Sequence, residues 1–177
     1  MTISLTYAEL KALKPPARFL KAKAANFGPA KDETASVTFQ QLKDGGATFG
    51  ELIWLASAMA EDNPDCKRRL RLWAADCAAR VLSIYERNET SPALCNVITS
   101  SRKFARNEVN ATTSSAASSA ERIAALTFAR AIAWAAENPA AWAVEKSWQF
   151  QSLVERMSDP EPDDWPLLAL PVKQAVA

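Results

Sequence analysis

The residues best suited to chemistry are defined first by a gap: the 177-residue chain contains no histidine. Without an imidazole it builds no Ser-His-Asp or Cys-His pair, no His-ligated metal site and no histidine general base. Cys66, Cys77 and Cys95 are odd in number and lack CxxC spacing, so no zinc site or disulfide framework follows from them. Cys77 and Cys95 lie among apolar residues of helical segments and read as small hydrophobes. Cys66 lies among charges near a helix start, where a thiolate would be modestly favoured. Four glycines supply neither GxGxxG nor GxxxxGK[ST], which excludes the phosphate loops. The acids Glu155, Asp159, Glu161, Asp163 and Asp164 lack the fixed spacing of a calcium loop and read as solvated. The basic run Lys67, Arg68, Arg69 and Arg71 follows Glu61, Asp62 and Asp65, so pairing within one helix accounts for it without a phosphate partner. Trp134, Trp142 and Trp148 sit in Ala-rich segments and point to helix packing first and a protein interface second. No catalytic residue, cofactor or metal site is expected.

The elements that position these residues are helical. Thirty-five alanines against four glycines favour helix over sheet, and 49% hydrophobic residues suffice for a core. A formal charge of +1 argues against a surface given over to nucleic acid, which stays the remote alternative. The N-terminus lacks a signal-peptide apolar stretch, and Arg130 interrupts the most apolar run, Ile123 to Ala136. A cytoplasmic protein that does not engage a membrane is therefore expected, and the Asn-x-Thr triplets at Asn88 and Asn110 read as chance.

Thr6 with Glu9, Thr38 with Gln41 and Thr48 with Glu51 match the capping-box spacing. Asn63-Pro64, Ser91-Pro92 and Asn138-Pro139 place a polar cap before a proline at the first helical position. Gly28-Pro29 and Gly45-Gly46 read as stops. These signals predict helices near 7–13, 16–27, 49–61, 64–87, 92–107, 113–137 and 139–157, with a turn near 39–44. The Ser/Thr-rich opening of 113–137 also permits a linker. Over 64–87, two apolar stripes leave a narrow polar one of Arg69, Asp76, Arg80, Ser83 and Arg87, the pattern of a helix central to a bundle, with Asp76 and Arg80 spaced to pair. The fold class is all-α, a single compact Ala-rich bundle of six to eight helices. Residues 1–157 form the helical domain, with 1–61 a candidate sub-unit on a 64–157 core. Residues 158–177 form an irregular Pro-rich segment that reads as a docked strap or as a partner-binding segment.

The run Leu70-Arg71-Leu72-Trp73-Ala74-Ala75-Asp76-Cys77-Ala78-Ala79-Arg80-Val81-Leu82, followed by Tyr85-Glu86, resembles the fifth family of immunity proteins found in bacterial polymorphic-toxin loci and in some phage genomes. The Pro92-led segment closing on Arg102, Phe104 and Ala105 and the alanine-rich stretch after Ala111 extend the resemblance over residues 67 to 148. Leu94-Cys95-Asn96-Val97-Ile98 and Asn107 depart from the family pattern and put a shared binding surface in question. The resemblance implies an all-helical, non-enzymatic inhibitor that binds a toxin or defence effector. A phage-encoded counter-defence protein that blocks a host immune effector is the sister reading. An enzyme working through carboxylates or a thiolate is the alternative from another class. Arg69, Arg80, Arg87 and Trp165 are the candidate partner contacts. Ordinary solvated surface is the alternative account of the arginines.

Overall fold

Three five-residue runs open helices in the same way: Thr6-Tyr7-Ala8-Glu9-Leu10, Thr38-Phe39-Gln40-Gln41-Leu42 and Thr48-Phe49-Gly50-Glu51-Leu52. The computed structural model describes residues 2–23, 35–85, 92–106 and 139–158 and places a complete capping box at each run. Each Thr hydroxyl accepts the amide three residues on, and the Glu or Gln side chain there accepts the Thr amide at 2.7–2.9 Å. The residue before each cap (Leu5, Val37, Ala47) and the leucine closing each run are all buried, the spacing of a hydrophobic staple. The motif thus satisfies exposed donors and aims one leucine at the core. Thr48→Ala is expected to lower stability by about 1 kcal/mol, read as a shift in the urea midpoint at unchanged slope.

Among the described residues the structure is all-α apart from one short ladder. The elements are β1 (Ser4–Thr6), α1 (Tyr7–Ala12), α2 (Ala17–Lys23), β2 (Ser36–Thr38), α3 (Phe39–Asp44), α4 (Phe49–Asp62), α5 (Pro64–Tyr85), α6 (Pro92–Ala105) and α7 (Pro139–Ser158). β1 and β2 pair antiparallel with Leu5 opposite Val37, both buried, between outward serines. Two expectations are corrected here. The segment 39–44 is a capped helix, not a turn, and residues 4–6 and 36–38 form a ladder that three-residue strands give no periodicity to reveal. Gly45 and Gly46 end α3 as the spacing predicts, with Gly46 at φ 81°. The segments expected at 113–137 and 158–177 and the Gly28-Pro29 stop lie outside the described residues, Ser158 excepted.

The chain divides into two compact units, and the division falls within α5 and α7. The first holds the described residues up to Leu70 and from Phe150 onward. In it, the last turn of α7, whose carbonyls lack partners within the helix, is closed by donors from elsewhere. Arg69 Nη1 donates to the Arg156 carbonyl at 2.9 Å, the Ile3 amide to that of Met157 at 2.9 Å, and the Thr2 hydroxyl to that of Ser158 at 2.8 Å. Phe19 meets Trp54 edge-on at 5.9 Å and Phe49 meets Phe150 at 5.7 Å, and Leu42 of α3 and Leu52 and Leu55 of α4 are buried.

The second unit holds the described residues from Arg71 to Gln149. Ala75, Ala78 and Ala79 of α5 pack with Ile98 of α6, and Cys95 packs against them. Side chains this small let two helices approach closely. Beside them Arg102 Nη2 of α6 donates to Asp76 Oδ1 of α5 at 2.8 Å, both side chains being buried.

Candidate functional site

The polar stripe of α5 is the natural place to look for partner contacts, and the structure turns much of it inward. Arg69 is 1% exposed. In the first unit its Nε donates to Asp65 at 3.0 Å while its Nη1 closes α7. It is therefore part of the core of the first unit and not a solvated surface position. Asp76 is buried on Arg102, and Arg80 reaches Glu145 on α7, so both residues of the stripe find partners on other helices. Arg87 and Trp165 lie outside the described residues. Asp65 faces Arg68 at 3.7 Å and Arg69 at 3.0 Å, the intrahelical pairing expected for the basic run.

Cys66 is corrected as well. Asn63 Oδ1 caps α5 by accepting the Cys66 amide at 2.9 Å, and this draws the side chain into the core, where Sγ lies 3.5 Å from the Ala56 carbonyl. Burial pushes the thiol up to about 12, Asp65 adds to the rise, and Arg69 opposes it only in part. The helix start therefore does not favour a thiolate. The unfolded chain releases this proton near pH 9 and the folded chain holds it to about 12, so the native state binds more protons across that window. Stability contributed by Cys66 is full below pH 9 and is lost as pH rises above it, by up to about 1.4 kcal/mol per pH unit. Urea titrations at pH 8 and pH 10.5 are expected to show a larger loss for the wild type than for Cys66→Ala.

Of the expected contacts, Arg80 stays at the surface of the second unit, with its side chain 31% exposed. Its Nε donates to Glu145 Oε2 at 2.6 Å, and Glu145 is 3% exposed. The other Glu145 oxygen accepts Gln149 Nε2 at 3.1 Å, and the Gln149 carbonyl accepts Trp73 Nε1 at 3.1 Å. The guanidinium carbon sits 4.5 Å from the centroid of the Trp148 ring, within cation–π range. Val144, four residues before Trp148 and so on the same face of α7, is 65% exposed. Ala140, Ala143 and Ser147 extend that face as exposed residues without charge.

Sequence reasoning missed Glu145 and Val144, and it read Trp148 mainly as packing. The available signal was Val144 and Trp148 at helical spacing on a face without charges. In the first unit, a recess of about 300 Å³ is lined by Pro16, Arg18, Phe19, Thr48, Glu51 and Trp54 among others. Thr48 and Glu51 are already bonded to each other in the α4 cap, which makes this recess a poorer site. Among the described residues, no three His, Cys, Asp or Glu side chains gather where they could hold a metal ion. No described helix is long and apolar enough to cross a membrane. Comparison with family models, with curated proteins and with solved structures finds no match.

Proposed function

We propose that this chain is a non-enzymatic inhibitor that neutralises a toxin or defence effector by direct protein–protein binding, in the manner of an immunity protein. The observation that carries the reading is the Arg80–Trp148 stack beside the exposed Val144. Arginine and tryptophan are the side chains most enriched among the few that dominate binding energy at interfaces. An exposed valine beside them suits a patch that a partner covers. The resemblance of residues 70–88 to toxin-immunity proteins points to the same class, and a chain without histidine lacks the usual acid–base group of an enzyme. The partner fits as a folded protein that lays an apolar side chain on Val144 and Trp148. The test is affinity capture of the tagged chain from its host, followed by titration of the captured protein's activity. One protein is expected to co-purify and to lose its activity at one equivalent of the chain. A captured protein that keeps full activity when saturated would overturn the reading.

A further inference from the structure

Resting on that reading, we propose that Glu145 is the positioning residue of the surface: it fixes Arg80 over Trp148 and balances its charge, so the surface selects an uncharged protein patch over a polyanion. Both Glu145 oxygens are engaged, one by Arg80 and one by the Gln149 side chain, and Trp73 of α5 donates to the Gln149 main-chain carbonyl, which holds that turn of α7. A guanidinium held by a buried carboxylate on one side and an indole on the other has few rotamers left to lose when a partner arrives. Its charge is met at 2.6 Å within the chain. Docking here therefore releases few counterions, and affinity is expected to change less than about threefold between 50 and 200 mM salt.

The first arm needs no partner. In the full chain labelled with ¹⁵N-arginine, the Arg80 Nε–H is expected to exchange with solvent at least about tenfold more slowly than that of Arg18, which is exposed. Glu145→Gln should bring the two rates together. Equal rates in the wild type would overturn the proposal whether or not the variant folds. The second arm uses a 20-base-pair DNA duplex at 50 mM salt, and no binding is expected. Binding that disappears at 200 mM salt would overturn it in favour of a nucleic-acid surface. With a captured partner, Glu145→Gln should weaken binding by about tenfold, measured per folded molecule. If Val144→Glu abolishes binding while Glu145→Gln binds as the wild type does, this inference fails and the inhibitor reading stands. If neither change affects binding, this inference fails and so does the placing of the binding surface on Arg80, Trp148 and Val144.

Discussion

Asp76→Ala is expected to destabilise the second unit by about 3–5 kcal/mol, the range for breaking a buried ion pair by removing one partner. The variant strips the carboxylate that Arg102 meets at 2.8 Å and leaves a guanidinium in surroundings too dry to solvate it. Native domains are stable by only about 5–15 kcal/mol, so the loss would bring the chain near its unfolding threshold. The double replacement Asp76→Leu with Arg102→Met removes both charges and should recover most of the loss, because hydrophobic groups of similar volume often replace a buried pair without penalty. Equilibrium urea unfolding of the wild type, Asp76→Leu, Arg102→Met and their double replacement gives the coupling directly. A loss below about 1 kcal/mol for Asp76→Ala would mean that the pair is open to water.

Arg69→Ala is the second large effect, with an expected loss of about 2–4 kcal/mol. Hydrogen bonds to charged groups are worth about 1.5–3 kcal/mol each, and burial of the arginine's aliphatic stem adds to them. Arg69→Lys should recover only part, since a single ammonium does not reproduce a fork that reaches Asp65 with Nε and the end of α7 with Nη1. Affinity for a captured partner, measured per folded molecule, should not change. Stability within about 0.5 kcal/mol of the wild type would return Arg69 to the surface.

How much of this was legible in the sequence depends on the distance over which each residue finds its partners. The boxes at Thr6, Thr38 and Thr48 are complete within four residues, so their letters alone identify them. The same holds for Asn63-Pro64, whose cap closes on Cys66. Helix α3 is six residues long, too short for periodicity to distinguish it from a turn. The α5 stripe was legible as polar but not in its direction. Asp76 finds Arg102 26 residues on, and Arg80 finds Glu145 65 residues on, so no local pattern separates a wet stripe from an internally paired one. Cys66 shows the same limit. Its neighbours in sequence are charged, while the carbonyl its thiol meets, that of Ala56, comes from the preceding helix.

The Arg80 surface was half legible. Arg80 stood out as a cation on a mostly apolar helix, but the one signal for Trp148 and Val144, helical spacing on a face without charges, fits a buried packing face among alanines equally well. The recurrent Thr-aromatic-x-Glu/Gln-Leu run was present in the letters and becomes meaningful once all three leucines are seen fully buried.

The most direct test of the inhibitor account is an activity titration of the captured partner with wild-type chain and with Val144→Glu. A hot-spot loss of about 2 kcal/mol corresponds to roughly 30-fold in affinity. The wild type is predicted to abolish activity at one equivalent, and the variant, equally folded by circular dichroism, to require roughly 30-fold more. Coincident titrations would show that the partner binds elsewhere, and the Arg80–Trp148–Val144 surface would lose its assigned role.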